Sequence, residues 1–304
     1  MLSLRTIVFL EVASNLSFSK ASKKLFISQS AVSRHIQLLE AQYNCALFDR
    51  QGNTIKLTPI GEKIYNNIQE ALSIQRKIEF DVSTIHDEIE AIGHLKIGSS
   101  TTVSLYILPE ILSGFHKMMP KIDIQVLNRN TENIISALMS KQIDVGIVEV
   151  ENKINQLNYE YFTSDKVIAV CATKSPLSNK TSIQIEELLQ INTALREFGS
   201  GTLSALASEL SKHKIAITDL KSKIRLGGTE ALKNFILADL SLGFLPQKAV
   251  KRELDTGELT EIHIEGLEIK RDFFILTRSG ENFELIKKFI RYAKQEVAEI
   301  NKLG

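Results

Sequence analysis

Residues 17–61 constrain the fold most, because helix, turn and strand signals follow one another there without a gap. Two short amphipathic helices are predicted on either side of a tight turn at Phe26-Ile27-Ser28. Ser28 is a favoured N-cap for the second of these helices, and Gly52-Asn53 marks the tip of a following two-stranded wing. This order predicts a winged helix-turn-helix, a shape suited to the major groove of B-DNA.

The helical spacing of apolar residues predicts the core of this head. A first helix is expected from about Leu4 to Asn15, and Ser17 or Ser19 can cap the second helix. The predicted inward side chains are Ile7, Val8 and Leu10 to Val12 in the first helix, Ala21, Leu25 and Phe26 in the second, and Val32, Ile36, Leu39 and Tyr43 in the third.

The opposite face of the third helix carries polar side chains that can read DNA. Gln can bind adenine through two hydrogen bonds, Arg can bind guanine in the same way, and Ser can contact bases or phosphates. Basic side chains on the wing suit phosphate oxygens. The predicted DNA-contacting residues are Gln29, Ser30, Ser33, Arg34, Arg50 and Lys56.

The charge distribution agrees with a DNA-contacting head. Residues 1–57 carry seven Lys and Arg against three acidic side chains, whereas the remainder carries 30 against 33. The net charge of +1 therefore combines a head of +4 with a body of −3. Taken alone, an ordinary solvated surface explains the imbalance equally well.

A long helix is predicted after the wing. Thr58 is a favoured N-cap and Pro59 a favoured first helical residue. Apolar residues then recur at alternating spacings of four and three, and no Gly or Pro interrupts them before Gly93. We predict a coiled-coil dimerisation helix, with a surface helix of a globular domain as the alternative. The seam consists of Ile64, Ile68, Ala71, Gln75, Ile78, Val82, Ile85, Ile89 and Ile92.

From His94 onward, alternating strands and helices predict an α/β region of open, wound sheets. Its roughly 210 residues suit two small subdomains better than one. The strand candidates are Leu95–Ser99, Asp123–Leu127, Asp144–Val148, Lys166–Ala172, Lys223–Leu226, Leu242–Leu245 and Phe273–Leu276. The helix candidates are about 104–118, 131–141, 184–190, 201–213, 229–239, 247–256 and 282–302.

Four of these helices are expected to begin soon after a strand, where hydroxyls and backbone N–H groups favour an anion. The loop from Arg196 to Thr202 adds a cation and two glycines that permit a nest of N–H groups. A capped helix start explains any one such loop, but four at corresponding strand ends favour a binding site. The candidate ligand-binding residues are Ser99, Ser100, Thr101, Thr102, Thr131, Arg196, Gly199, Ser200, Gly201, Thr202 and Thr229.

Signatures of other function classes are missing from the sequence. No apolar run approaches the ~20 residues of a membrane span, and Glu11 interrupts the apolar N-terminus, which predicts a folded helix instead of a signal peptide. There is no GxSxG, P-loop or HExxH motif, and Cys45 and Cys171 lie far apart without a CxxC. We therefore predict a cytoplasmic protein that is not an enzyme and has no cofactor, metal or membrane contact.

Several separate motifs resemble the DNA-binding head of LysR-type transcriptional regulators. The Arg196–Thr202 loop resembles the corresponding loop in LysR-type regulators of carbon fixation and sulfur assimilation, whose effectors are small and often anionic. The order of elements after residue 93 resembles the effector region of the family. The head motifs are Phe9 with Val12-Ala13, Ser17-Phe18-Ser19, Ser28 to Ser33, Leu38 with Glu40, Leu47-Phe48 with Arg50, and Leu57-Thr58-Pro59 with Gly61.

The resemblance implies a multidomain α/β protein with an effector domain of periplasmic-binding-protein type. The winged helix-turn-helix would span residues 1–58, the linker (dimerisation) helix 59–92 and the effector-binding domain 93–304. Within that domain, subdomain I would comprise 94–162 with 269–304, and subdomain II would comprise 163–268.

The same resemblance implies the partners. A homodimer or homotetramer would bind an inverted-repeat operator in double-stranded DNA, and a small anionic effector would bind between the subdomains. RNA polymerase is a further candidate partner. A solute-binding receptor built on the C-terminal region is the alternative, and the DNA-binding head disfavours it. A small-molecule enzyme is a third class, for which no catalytic set is present.

The chain departs from the family pattern at two places. Ser30 stands where many members have Pro, so the base preference of this helix face is less transferable. Asp239 and Ser241 replace two glycines of a Gly-rich turn that many members share. We expect a stiffer turn there, and an acidic group near the cleft that alters the preference for effectors.

Overall fold

The computed structural model describes residues 3–51, 54–85, 91–150, 153–281 and 283–303. For residues 50, 51 and 301–303 it describes the backbone alone. The chain divides into two units, residues 1–86 and residues 87–304.

The N-terminal unit is a helical head with a wing, followed by a long helix, which confirms the predicted winged helix-turn-helix. The two wing strands pair antiparallel with Phe48 opposite Leu57, and the predicted Gly52-Asn53 tip lies outside the described residues. The elements are α1 (Leu4–Asn15), α2 (Phe18–Leu25), α3 (Gln29–Tyr43), β1 (Phe48–Gln51), β2 (Thr54–Leu57) and α4 (Pro59–Ser83).

Three of these helices begin at side-chain caps that the sequence predicted. The hydroxyls of Ser17, Ser28 and Thr58 each accept a hydrogen bond from the backbone N–H three residues further on. Each cap satisfies one of the N–H groups that a helix start leaves without a partner. Pro59 occupies the first position of α4, where its missing N–H costs no helical hydrogen bond.

The core of the head largely follows the predicted pattern, since Val32, Ile36 and Leu39 are buried. Phe26, however, is 93% exposed and not inward as predicted. It is the C-cap of α2 with a left-handed φ of 54°, so its side chain no longer follows the period of the helix. The predictions that Ile7 and Tyr43 face inward are also wrong, because both side chains are exposed.

Helix α4 ends at Ser83, before the predicted end at residue 92. The hydroxyls of Ser83 and Thr84 donate to the carbonyl oxygens of Phe80 and Asp81, and such local bonds compete with continuation of a helix. Ile89, which belongs to the predicted seam, lies outside the described residues.

The predicted seam of α4 divides into two parts. Ile64 and Ile68 pack into the core of the head, so this part serves the head itself. Further along, Ile78 and Val82 are 58% and 56% exposed. Ile85 of the seam is exposed too, and so is Ile74, which lies outside the predicted seam one helical turn before Ile78. We call these four exposed residues, Ile74, Ile78, Val82 and Ile85, the apolar stripe.

The C-terminal unit alternates strands and helices. Its strands are β3 (Gly93–Ser99), β4 (Ile122–Asn128), β5 (Val145–Glu149), β6 (Leu157–Ala172), β7 (Ser182–Ile183), β8 (Thr193–Arg196), β9 (Ser222–Leu226), β10 (Leu242–Pro246), β11 (Leu259–Glu261), β12 (His263–Ile264) and β13 (Ile269–Arg278). Its helices are α5 (Thr101–Tyr106), α6 (Leu108–Met118), α7 (Thr131–Met139), α8 (Ile185–Leu188), α9 (Gly201–Lys212), α10 (Thr229–Ala238), α11 (Gln247–Asp255) and α12 (Glu284–Leu303).

Nine strands form one sheet among the residues described in this unit. Their order is β4-β3-β5-β13-β6-β10-β8-β9, and β11 also pairs with β6. Strand β3 is parallel to β4 and β5, and β8 is parallel to β9 and β10. We call β3–β5 with α5–α7 half I, and β8–β10 with α9–α11 half II.

The long antiparallel strands β6 and β13 join the two halves. Residues 273–276 of β13 pair with β5 of half I, and residues 167–170 of β6 pair with β10 of half II. Between these regions the two strands pair with each other, with Arg271 opposite Asp165. We call this segment, residues 164–166 and 270–272, the hinge.

Several elements differ from the sequence-based predictions. Strand β6 begins at Leu157, well before the predicted Lys166. The prediction missed its first part because that part is rich in polar side chains, which are typical of a loop. The four-residue strand β8 was not predicted. The helix predicted over 104–118 is two helices, α5 and α6, separated at Ile107, where φ is −122°.

The turn that departs from the family pattern is held locally. The Asp239 carboxylate accepts hydrogen bonds from the backbone N–H and the hydroxyl of Ser241. Mainly because of the side-chain bond, the pKa of Asp239 is lowered from its ordinary value. The expected stiffening has its physical basis in these bonds, which already occupy one oxygen of the carboxylate.

Candidate functional site

The polar residues predicted on α3 lie on one exposed surface of the head. Gln29, Ser30 and Arg34 are exposed, and Ser33 is half-buried. Gln29 accepts a hydrogen bond from the Ser19 hydroxyl at 3.2 Å, which links the start of α3 to α2. Lys56 is exposed on the wing, while the side chain of Arg50 lies outside the described part of the structure. We call Gln29, Ser30, Ser33, Arg34 and Lys56 the head surface.

Glu40 fixes the wing to α3. Its Oε1 atom accepts hydrogen bonds from the backbone N–H of Leu47 at 2.8 Å and of Phe48 at 3.3 Å. Gly61 brings the start of α4 against the same segment, because a Cβ there would lie 2.1 Å from the carbonyl oxygen of Leu47. The Glu40 hydrogen bonds and the close approach at Gly61 therefore join α3 and the start of α4 to the same segment of the wing.

In the C-terminal unit, the predicted ligand-binding residues lie where strands end and helices begin. Thr102 is in the first turn of α5, Thr131 begins α7, Thr202 is in the first turn of α9 and Thr229 begins α10. The first two helices follow parallel strands of half I, and the last two follow parallel strands of half II. Carboxyl ends of parallel strands are the usual position of ligands in open α/β sheets. We call the space between these helix starts the cleft.

A buried arginine on the hinge brings two of the predicted residues together. Arg271 Nη2 donates to the Thr102 hydroxyl and Nη1 donates to the Thr202 hydroxyl, both at 2.9 Å. Nη1 also contacts Glu149 Oε1 at 2.5 Å, and Nη2 contacts Asp165 Oδ2 at 3.0 Å. We call these five residues the Arg271 cluster; helix starts from both halves meet in it.

The sequence analysis missed Arg271, Asp165 and Glu149 as site residues. Glu149 ends β5, and its Oε2 atom accepts a hydrogen bond from the predicted Thr131 at 2.9 Å. Only the pairing of β13 with β5 and β6 brings Arg271 to these carboxylates, and no local pattern encodes that pairing. The available signal was Glu149 at the end of an otherwise apolar strand, where a charge is costly unless paired, whereas Asp165 and Arg271 stand among other polar residues and gave no such signal.

Arg196 and Thr229 form a second contact in half II. Arg196 Nη1 donates to the Thr229 hydroxyl at 2.8 Å, and Nε and Nη2 bond the two carboxylate oxygens of Glu197. Burial works to raise the pKa of Glu197, but the hydrogen bonds and charge of Arg196 outweigh it and the pKa is lowered. The Arg196 cation is thus present at the cleft, but it already has a counter-ion.

A third contact connects the two halves near the start of α10. The Tyr106 hydroxyl of α5 donates to the carboxylate of Glu230 on α10. Burial first, and then the bond to Glu230, raise the pKa of Tyr106 above its usual range. Lys233 lies 3.0 Å from both Glu230 and Glu253, so the acceptor of the tyrosine is itself held in an ion pair.

Ser99 and Ser100 behave differently although they are neighbours. Ser99 bonds the Ser104 hydroxyl at 2.5 Å, so it serves the start of α5. The Ser100 hydroxyl is buried and, within the described part of the chain, has no hydrogen-bond partner. Ser100 is the N-cap of α5 but its side chain does not cap the helix. Ser200 and Gly228, the N-caps of α9 and α10, likewise give no side-chain cap.

A cavity of about 580 Å³ adjoins the Arg271 cluster. It lies between α7 and α9, and its lining includes Thr131, Glu149, Gly199, Gly201 and Arg271. This volume is within the range of small-molecule sites. Thr101 is half-buried at the start of α5, outside both arginine contacts.

The described residues include no group of acidic, His or Cys side chains that could hold a metal ion. No described helix is both long and apolar enough to cross a membrane. Of the two cysteines, Cys171 is buried and burial raises the pKa of its thiol.

Two family models match the chain. Residues 5–62 match the bacterial regulatory helix-turn-helix protein of the lysR family, and residues 90–298 match the LysR substrate binding domain. The HTH-type transcriptional regulator CysL of Bacillus subtilis (strain 168) is 28% identical over 263 residues, 86% of each chain. A probable RuBisCO transcriptional regulator of Emiliania huxleyi is 30% identical over 293 residues, 93% of this chain and 90% of that one.

Solved structures show the same architecture. Full-length CbnR, complexed with its target DNA, is similar with a TM-score of 0.67 at 17% identity, over 97% of this chain and 99% of that one. The regulatory domain of CcmR from Synechocystis PCC6803, in complex with 2-PG, has a TM-score of 0.60 at 26% identity. That similarity covers 66% of this chain and 96% of the CcmR chain.

Proposed function

The chain belongs to the LysR family of DNA-binding transcriptional regulators, and from that premise we propose that a small anionic metabolite in its cleft controls the binding of its head to DNA. The observation that carries this proposal is the convergence of uncapped helix starts. The first turns of α5 and α9 meet at Arg271, and α10 is joined to α5 by Tyr106 and Glu230. None of the three helices is capped by its own N-cap side chain.

Uncapped helix starts favour a negatively charged ligand. The first N–H groups of a helix have no partner within it, and the helix dipole adds partial positive charge there. The helices α1 to α4 of the head all have hydroxyl caps, and α7, the fourth helix start at the cleft, is capped by the Asn130 side chain. The unpartnered Ser100 hydroxyl supplies one more donor. The similar CcmR domain was solved in complex with 2-PG, which makes that compound the first ligand to test.

Both arginines already have acidic partners, so Arg196 offers a ligand less positive charge than the sequence predicted, and Arg271 adds no free cation. Arg196 is paired with Glu197, and Arg271 with Glu149 and Asp165. A ligand would therefore depend mainly on N–H groups and hydroxyls, with the arginines holding the surrounding side chains in place. This favours a compact carboxylate, phosphate or sulfur oxyanion over a larger anion that needs several free cations.

The head surface is proposed to bind the operator. Gln29 and Arg34 can form paired hydrogen bonds with base edges, and Lys56 can contact phosphate. The apolar stripe of α4 would pair two chains, so that two heads bind an inverted repeat. We propose a homodimer, or a homotetramer built from two of them, that acts in the cytoplasm as a regulator and not as an enzyme. RNA polymerase is a proposed further partner.

The cleft assignment predicts that a suitable anion stabilises the protein. Full-length protein would be screened by thermal denaturation with small carboxylates, phosphates and sulfur oxyanions, beginning with 2-PG. A ligand at 100 times its dissociation constant is expected to add about 2.7 kcal/mol to the free energy of unfolding.

Ser100→Ala is the variant of choice for this site, because among the described residues the hydroxyl makes no hydrogen bond that the variant would lose. We expect its affinity for the ligand to fall about tenfold with an unchanged melting temperature in the absence of ligand. Arg196→Ala is less clean, since it also leaves the buried part of Glu197 without its counter-ion. Equal affinity in Ser100→Ala and wild type would show that the ligand binds elsewhere.

A further inference from the structure

The hinge arginine contacts both halves of the C-terminal unit. Arg271 lies on the two-stranded hinge, yet its guanidinium reaches Thr102 and Glu149 in half I and Thr202 in half II. Its fourth partner, Asp165, lies directly opposite on the other hinge strand. Three of the four bonds therefore connect the hinge to one half or the other, and both halves share a single guanidinium.

The two halves approach closely beside this guanidinium. Gly201, the first residue of α9 in half II, faces Glu149 in half I: a Cβ at Gly201 would lie 2.6 Å from the carboxylate carbon. A larger residue there would force the Glu149 side chain to move. On the same side, Asn130 Nδ2 of half I donates to the backbone oxygen of Phe198 at 3.4 Å. The bond from Tyr106 to Glu230 adds a further connection.

We propose that Arg271 is an internal tether, which holds the two halves of the effector domain closed through the chain's own side chains. Opening the cleft would separate Thr102 and Glu149 from the guanidinium and so break two of its charge-assisted hydrogen bonds, which are stronger than bonds between neutral groups. The closed arrangement is thus the ground state of the domain. A ligand would act on a cleft that is already assembled, and would not have to draw two separated halves together.

The tether can be tested without any effector, so its outcome is independent of the proposed ligand. Glu149→Gln and Asp165→Asn form a matched pair. Each converts one carboxylate to an amide of similar shape, and each leaves Arg271 with one acidic partner. Of these two carboxylates, Glu149 connects the hinge to half I, whereas Asp165 connects the two hinge strands.

Hydrogen exchange of the full-length protein would be measured by mass spectrometry for the segments 99–106 and 196–204, which face the cleft. We expect exchange in both segments to be about tenfold faster in Glu149→Gln and close to the wild-type rate in Asp165→Asn. Equal acceleration in the two variants would indicate general destabilisation and overturn the tether. Wild-type exchange in both would overturn it as well.

A second pair covers the case in which a carboxylate variant fails to fold. Thr102→Val removes one bond between half I and Arg271 without changing the charge of the cluster. Thr193→Val is its control, because the buried Thr193 hydroxyl donates to the backbone carbonyl oxygen of Lys221, a contact within half II. Faster exchange of the cleft segments in Thr102→Val alone supports the tether. The same exchange in both variants contradicts it, whatever the carboxylate variants do.

Discussion

Ile78→Asp is expected to raise the dissociation constant of the dimer by about a hundredfold or more. Ile78 is on the apolar stripe of α4, 58% exposed in the single chain, and would be buried against the same helix of a second chain. Each dimer of the variant would bury two carboxylates without partners, and an unpaired buried charge costs several kcal/mol. Sedimentation velocity over a range of concentrations would measure the change directly.

The control for this variant is Asn66→Asp. It adds the same charge to the same helix at an exposed position. Viewed down the helix axis, Asn66 is rotated from Ile78 by about a third of a turn, so it lies off the stripe. We expect Asn66→Asp to sediment as the wild type does. If Ile78→Asp also keeps the wild-type oligomeric state, the stripe is not the surface that pairs two chains.

Combining Gln29→Ala with Arg34→Ala is expected to weaken binding to the operator by about a hundredfold or more, since each paired contact with a base contributes about 1–3 kcal/mol. Both side chains are exposed at the start of α3, so the fold should tolerate their loss. Gel-shift titration on the promoter beside the protein's own gene, and on random DNA of equal length, would give the two affinities.

Lys56→Ala separates base readout from phosphate contact. Loss of a phosphate contact should weaken binding to the promoter and to random DNA alike, and should reduce the slope of log affinity against log salt by about one. The double variant should instead lose the preference for the promoter. An unchanged ratio of promoter to random affinity in the double variant would refute the assignment of Gln29 and Arg34.

The local signals in the sequence were enough to predict the head. Caps at Ser28 and Thr58, and the spacing of Val32, Ile36 and Leu39, depend on interactions within a few residues, so they can be recognised without tertiary information. The prediction that Phe26 faces inward was wrong because the left-handed backbone of a C-cap interrupts the helical period at that residue. The identity of an apolar residue near the end of a predicted helix does not indicate such a change of backbone conformation.

The cleft was predicted in part. Hydroxyls and glycines after strands indicated where helices begin, and the structure brings Thr102, Thr131 and Thr202 around the Arg271 cluster. The arginine could not be predicted, because its partners are separated by up to 169 positions in the chain and meet only through strand pairing. The sequence could not show either that Glu197 already neutralises Arg196, since that depends on the rotamers of adjacent residues.

Titration of operator DNA with full-length protein, at increasing concentrations of the anion that gives the largest thermal shift, tests the central claim most directly. The claim is that a ligand in the cleft controls the head. In the wild type, operator affinity or the footprint on the promoter should change and saturate with the anion, and Ser100→Ala should need about tenfold more anion for the same change. The account is contradicted if the anion binds but operator binding by the wild type stays the same at saturation.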